Sequence, residues 1–255
     1  FAFLRFIFAI YLISMEQYPV GAGSVSQATH AAREWSLTIH CPLTRFYSGL
    51  FHRVLPGHAH MWIASAASIV LFVAAVFNSL LAIYALQRRQ ATGAWAFACL
   101  MAGAAFYCMA FGMELLSDTV PEILVWLKIQ YLGIATMPAF WIILALQFSG
   151  RDRRITVPVL ASVFIIPLAT LFLVSTNEFH HLYYRALAID RSGPIQVTAI
   201  KGGPWYWVHN AFIHFSIIAG NILYLQRWLT GPLSYRKQAA AMLVGSLGPW
   251  VGNTV

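Results

Sequence analysis

Long apolar stretches separated by short polar links make up the chain from about residue 62 onward. A bilayer-crossing helix needs about 20 apolar residues, and six stretches have that length. They are roughly residues 62–86, 94–116, 122–148, 155–175, 205–228 and a last one that starts near residue 238. Because six such stretches in succession leave no polar face for water, the pattern predicts an all-α membrane protein. We expect a polytopic transmembrane helix bundle, with six helices visible of seven.

The polar links differ in charge, and the difference predicts an orientation. The links after the first, third and fifth helices carry Arg88, Arg89, Arg151, Arg153, Arg154, Arg227, Arg236 and Lys237. The link after the second helix has Asp118 and Glu122 and no basic residue. Since basic links stay in the cytoplasm, we expect the first helix to enter from outside. A seventh helix would return the chain to the cytoplasm, where an output domain could follow.

The longest link, roughly residues 176–204, lies outside the cell in this orientation. Within it, residues 195–200 alternate weakly in polarity and follow Ser192, Gly193 and Pro194, which favour a turn. The link is therefore predicted to contain a small hairpin that caps the bundle.

Residues 1–60 do not follow the pattern of the rest of the chain. Residues 1–13 are apolar but too short to span a bilayer, and residues 16–60 show no clear period. Two interpretations stand side by side. Met61 is the true start and the leader an artefact of gene calling, or the leader is the stump of an extra helix with an external linker. The chain is thus divided into an uncertain leader, 1–60, and a transmembrane domain, 61–255, which we read as truncated before its last helix.

Composition agrees with a membrane location. Hydrophobic residues make up 60% and charged residues 9% of the 255 positions, whereas soluble domains carry about 25% charged residues. The net charge is +8, but the basic residues sit in short clusters between apolar stretches instead of forming one stripe. Nucleic acid is therefore excluded as a partner, and the lipid bilayer is the expected one. Only three cysteines occur, so no disulfide framework is indicated.

One stretch of the third helix carries a resemblance to a known family. It runs Trp126-Leu127-Lys128-Ile129-Gln130-Tyr131-Leu132-Gly133-Ile134 and continues through Pro138, Trp141 and Ala145-Leu146-Gln147-Phe148-Ser149-Gly150-Arg151. Supporting residues are Thr176, His180-His181-Leu182, Gly203-Pro204, Trp207-Val208-His209, Tyr235-Arg236-Lys237-Gln238, Gly245, Pro249 and Asn253. Together they resemble the seven-transmembrane N-terminal sensor region of bacterial histidine kinases.

The resemblance implies a non-catalytic sensory input region in the cytoplasmic membrane of a bacterium. It would relay a signal to an output domain that is missing from this chain, a histidine kinase or alternatively a diguanylate cyclase. It would form a homodimer through that domain. No cofactor is expected, and the sequence shows no nucleotide-binding glycine loop or paired carboxylates. The alternatives are a fragment of a small-solute transporter or channel, or a membrane enzyme that uses the outer histidines.

Several polar residues are predicted to lie near the outer ends of their helices. Such residues are costly at membrane depth unless they are paired or hydrated, so they are candidates for a small ligand pocket. They are Glu114, Lys128, Gln130, Tyr131, His180, His181 and His209. Lys128 and protonated histidines would favour a small polar or anionic ligand. The alternative is a structural Glu114–Lys128 pair near the interface.

The outer histidines also raise the question of a metal. His209 and His214 are five residues apart in the same predicted helix and do not share a face. No His-Glu-x-x-His or cysteine-rich spacing accompanies them. We therefore predict interfacial hydrogen bonding and no metal site, and sensing of external pH through the same imidazoles remains open.

The charge pattern gives a testable topology. A reporter fused at Arg89 or Arg153 should lie in the cytoplasm, and one fused near Ser192 should lie outside, because basic links resist translocation. Paired phosphatase and fluorescent-protein fusions measure this directly. A cytoplasmic Ser192 would reverse the orientation.

Overall fold

The computed structural model describes residues 58–190 and 197–252, so the predicted leader lies outside the described residues except for its last three. The described elements are α1 His58–Gln87, α2 Ala94–Leu115, α3 Val120–Phe148, α4 Val157–Ser175, α5 Asn177–His180, β1 Tyr184–Asp190, β2 Val197–Gly202, α6 Pro204–Thr230 and α7 Leu233–Gly252. A short 3-10 turn, Asp152–Arg154, precedes α4. The predicted all-α membrane bundle is confirmed.

Five of these helices, α1, α2, α3, α4 and α6, are long and apolar enough to cross a membrane. They correspond to the first five predicted stretches. The sixth stretch forms α7, which begins at Leu233, some five residues before the predicted start. Its first turns carry Arg236, Lys237 and Gln238, and it is not among the five candidate spans found in the described residues.

Proline and glycine set several of the helix ends. Pro121, Pro158 and Pro204 lie in the first turns of α3, α4 and α6, where the missing proline N–H would have no partner in the helix anyway. The helix α3 ends before Gly150, which has a φ of 71°. Because glycine adopts a left-handed φ without steric cost, the chain can turn sharply there into the 3-10 turn.

The helix α3 lies at the centre of the bundle. It packs against α2, α4 and α6, while α1 packs on α2 and α7 packs on α6. Among the five candidate spans, α3 is the most buried and α4 the least. The surface of α4 presents Val157, Ile165, Leu168 and Phe172, which suits a helix that faces lipid.

Small residues allow α2 and α3 to approach closely. Gly103 of α2 and Gly133 of α3 lie backbone against backbone, and a methyl group at Gly133 would overlap the carbonyl of Gly103. Helices in membranes gain much of their association from such close van der Waals packing. Gly220 of α6 has a similar role, since a methyl group there would overlap the indole of Trp141 in α3.

The two strands form an antiparallel hairpin in which Leu187 lies opposite Ile200 and Tyr184 opposite Gly202. The predicted strand at 195–200 is β2, shifted by two residues, and the predicted turn at residues 192–194 lies outside the described residues. The strand β1 was not predicted. Tyr184 and Ile200 join Tyr107 and Tyr131 in one hydrophobic cluster, so the hairpin covers one end of the bundle, as predicted.

The two ends of the bundle therefore differ. We call the end covered by β1 and β2 the hairpin end, and the opposite end, with the links at 88–93 and 149–156, the basic end. A second hydrophobic cluster lies toward the basic end around Trp141, Ile143 and Tyr224. Near this second cluster, α6 and α7 are joined by a hydrogen bond from the Ser246 hydroxyl to the Asn221 amide oxygen at 2.6 Å.

The glycine contact predicts a graded effect of alanine substitutions. Gly133→Ala should lower the free energy of unfolding by about 1–3 kcal/mol, because its methyl group meets backbone that cannot move independently. The matched control is Gly103→Ala, whose methyl would lie 3.0 Å from Cγ of the flexible Met137 side chain. Thermal unfolding in lipid nanodiscs measures both. Equal midpoints for the two variants would contradict the close backbone contact.

Candidate functional site

A buried asparagine holds the chain at the base of the hairpin. The side-chain oxygen of Asn177 accepts the N–H groups of Tyr183 and Tyr184 at 2.9 and 3.1 Å. Its amide nitrogen donates to the carbonyl of Tyr184 at 2.8 Å. Because unpaired buried backbone groups are costly, this one side chain stabilises the passage from α5 to β1.

The neighbouring histidines have different roles. Nδ1 of His180 accepts the N–H of Leu182 at 3.1 Å, and Nε2 lies 3.0 Å from the Thr176 hydroxyl. That hydroxyl donates to the carbonyl of Phe172 at 2.8 Å, so the geometry assigns the His180 proton to Nε2. His181 is exposed and has a φ of 51°. His180 therefore stabilises a turn, and His181 faces away from the bundle.

Hydrogen bonds also join the base of the hairpin to the start of α6, and the start of α6 to α4. The N–H of Gly203 donates to the carbonyl of Tyr183 at 2.7 Å, and the N–H of Trp205 donates to that of Leu182 at 3.0 Å. The indole N–H of Trp205 reaches the hydroxyl of Thr170 in α4 at 3.0 Å. The start of α6, the hairpin and α4 are thus joined by direct hydrogen bonds.

Glu114, in the last turn of α2, lies at a junction of three elements. Its side chain is buried. The amide of Gln130 in α3 donates to one carboxylate oxygen, and the hydroxyl of Thr198 in β2 donates to the other. A buried carboxylate needs such donors to replace the water it has lost. We call Glu114, Gln130 and Thr198 the junction.

The sequence left open a structural ion pair between Lys128 and Glu114. In the structure, Lys128 pairs with a different residue. Its ammonium lies 2.6 Å from the carboxylate of Glu178 in α5, and the two side chains are 29% and 50% exposed. An ion pair this exposed contributes little to stability, on the order of 0–1 kcal/mol. The pKa of nearby Tyr184 is raised, first by burial of its phenol and second by the charge of Glu178.

Residues two positions apart in a helix point about 200° apart, following the helical pitch. Lys128 therefore points away from Gln130, which is buried in the junction. The pocket itself stays a prediction, and Lys128 lies outside its buried part.

Tyr131 and His209 meet in an aromatic cluster with Tyr183. The Tyr183 hydroxyl and Nδ1 of His209 form a hydrogen bond of 2.8 Å, and the rings of Tyr131 and Tyr183 contact edge to face at a centroid distance of 5.0 Å. The ring of His209 is completely enclosed. Its Nε2 has no hydrogen-bond partner among the residues that the structure describes.

The seven predicted site residues thus fall into separate groups. Glu114 and Gln130 share the junction, Tyr131 and His209 share the aromatic cluster, and Lys128, His180 and His181 lie at the surface or in the turn. Sequence reasoning missed Thr198, Asn177, Tyr183 and Glu178. Of these, only Thr198 had a usable signal, since it shares with Ile200 the buried face of an alternating strand.

His209 and His214 of α6 differ as their spacing predicted. His209 is buried, whereas His214 is half-buried and its Nδ1 lies 2.8 Å from the carbonyl of Asn210, one turn earlier. In the described parts of the chain, no three His, Cys, Asp or Glu side chains come together in a way that could hold a metal ion.

Comparison with known proteins identifies a family for this chain. A family model described as the N-terminal 7TM region of histidine kinase matches residues 70–255. No curated protein matches the chain. No solved structure matches it either.

The asparagine at the hairpin base predicts a local loss of stability. Asn177→Ala leaves two backbone N–H groups and one carbonyl without their partner, so the hairpin should become less stable by about 1–3 kcal/mol. Hydrogen exchange of peptides that cover β1 and β2 should accelerate accordingly. Asn210→Ala, which removes an amide from the half-buried face of α6, is the matched control. Unchanged exchange in Asn177→Ala would show that the turn does not depend on this residue.

Proposed function

The chain belongs to the family described as the N-terminal 7TM region of histidine kinase, and on that premise we propose what it does. It is the sensory input region of a bacterial signal-transduction protein in the cytoplasmic membrane. It relays an external or membrane signal to a cytoplasmic output domain elsewhere in the full-length protein, a histidine kinase. The full-length protein acts as a homodimer through that domain.

The observation that carries this proposal is the junction. The bonds of Glu114 connect β2 with the end of α2 and with Gln130 inside α3, and α3 is the helix that packs against α2, α4 and α6. A displacement of the hairpin would change the bonding of a buried carboxylate, which has few ways to be satisfied in a membrane. A signal at the hairpin would therefore alter the packing of the central helix.

A second connection runs through α6. The hairpin is bound to the start of α6 at Gly203 and Trp205, and α6 reaches the basic end, where it packs on α7. Switching in packed bundles uses small shifts or rotations of whole helices. A shift of α6 would be passed to α7 through the Asn221–Ser246 bond and onward to the output domain.

We place the ligand-responsive region beneath the hairpin, around the junction and the aromatic cluster. Glu114, Gln130, Tyr131 and His209 form its buried part, and Lys128, His180 and His181 lie at its margin. Because Lys128 is engaged by Glu178, this buried part has hydrogen-bonding groups in place of a free positive charge. It therefore fits a small polar signal better than a strongly anionic one.

The proposal predicts an effect of the hairpin on output. Thr198→Val in the full-length protein removes the hydroxyl that holds β2 to Glu114 and should change autophosphorylation by roughly 2- to 30-fold, the size of typical coupling energies. Incorporation of γ-phosphate from ATP in membrane vesicles measures it. Thr230→Val, at the exposed end of α6, is the control.

Other outcomes of the same assay are informative. Synthesis of cyclic dinucleotide from GTP would replace the kinase by a diguanylate cyclase and leave the sensory role standing. If the full-length protein shows neither activity, the proposed function is overturned. A Thr198→Val protein as active as wild type would show that the hairpin does not control the output.

A further inference from the structure

The junction contains a carboxylate whose two contacts in the described chain are both neutral. The Gln130 amide and the Thr198 hydroxyl donate to it, and no ion pair with a cation accompanies them in that part of the chain. We propose that Glu114 is a proton-binding site and that the signal read by this region is its protonation. This inference rests on the proposed sensory function and names the signal.

Among the side chains that the structure describes, no ion pair joins a charged group on the surrounding elements to the Glu114 carboxylate. From α3 the charged residues nearest in sequence are Glu122, which is exposed, and Lys128, which is bound by Glu178 of α5. On the hairpin and in the α2–α3 link, Arg185, Lys201 and Asp118 are exposed. From α1, residues 64–87 contain no charged residue. The ionised form of Glu114 is therefore held by hydrogen bonds instead of by a counter-charge.

The histidines of this end are less suited to the same role. His180 uses Nδ1 to accept a backbone N–H, and His181 is exposed and stands apart from the junction. The Nε2 atom of His209 is buried without a partner among the described residues. An imidazolium there would need an acceptor for each N–H, and only the Tyr183 hydroxyl is in place.

The two states of Glu114 require different bonds. An ionised carboxylate accepts hydrogen bonds at both oxygens, which is the arrangement observed. A protonated carboxyl has one O–H that must donate, so either Thr198 must turn its hydroxyl into an acceptor or Gln130 must rotate its amide to present its oxygen. Protonation, with the proton supplied by water, therefore reverses at least one bond of the junction.

The direction of the change follows from the cost of burying a charge. An ionised carboxylate loses much more hydration on burial than a neutral carboxyl does, and the two hydrogen bonds of the junction replace only part of it. Ionisation of Glu114 should therefore weaken the attachment of β2 to α2 and α3, and raising the pH should loosen the hairpin while the Asn177 contacts keep its base in place. At a pH low enough to keep Glu114 protonated, the hairpin should be held firmly.

The test is hydrogen exchange of the full chain in lipid nanodiscs over a range of pH, expressed as protection factors for peptides covering β1 and β2. Wild-type protection should fall by about tenfold as the pH rises through the titration of Glu114, the change expected for a loss of roughly 1.4 kcal/mol. Glu114→Gln, whose side chain stays neutral, should show high protection at every pH. Glu122→Gln, a matched change at an exposed residue of α3, should titrate as wild type does.

Two results would overturn the proposal. One is a wild-type hairpin whose protection does not change with pH, and the other is a Glu114→Gln hairpin that titrates like wild type. If Glu114→Gln fails to fold, infrared difference spectra of the wild-type protein decide. A carboxylic acid band must then disappear with the same midpoint as the loss of protection, and a band that does not change would refute the inference.

The outcomes separate this inference from the proposed function. A full-length protein that phosphorylates itself while its hairpin ignores pH would retain the sensory role and lose the proton as its signal. A hairpin that titrates through Glu114 in a protein without any output activity would retain the proton site and lose the sensory role.

Discussion

The close approach of α3 to its neighbours is the constraint on which the rest of the molecule depends. Gly133 brings α3 against the backbone of α2, and Gly220 gives Trp141 of α3 its place against α6. With α3 fixed between these helices, Gln130 reaches Glu114, and Tyr131 reaches Tyr183. In a membrane, where apolar burial contributes little to helix association, such packing and a few buried hydrogen bonds determine the arrangement.

The sequence predicted the spanning helices well because their apolar length is a property of each segment alone. The start of α7 was the least accurate, since its first turns carry Arg236, Lys237 and Gln238, whose polarity hides the beginning of the helix. The strand β1 was missed because its conformation depends on pairing with β2, which lies further along the chain. A pattern that is analysed one segment at a time does not show which segments will contact each other in the fold.

In the candidate site, too, contacts between consecutive helices were predictable, whereas contacts between distant segments were not. Glu114 and Gln130 were placed together correctly because consecutive helices are neighbours. The partner of Lys128 is 50 residues away in α5, and only the folded link between α4 and β1 brings it near. The helical period could have separated Lys128 from Gln130 from the sequence alone. Asn177, by contrast, resembles any polar link residue until the two N–H groups that it accepts are in place.

The bonds of Glu114 differ greatly in the length of chain that they close, and this has a consequence for biogenesis. Gln130 follows Glu114 by 16 residues, so this bond can form as soon as α2 and α3 leave the translocon as a pair. Thr198 follows by 84 residues and emerges only after α4 has been inserted. During synthesis the carboxylate therefore has only one of its two observed donors within reach until β2 has been made.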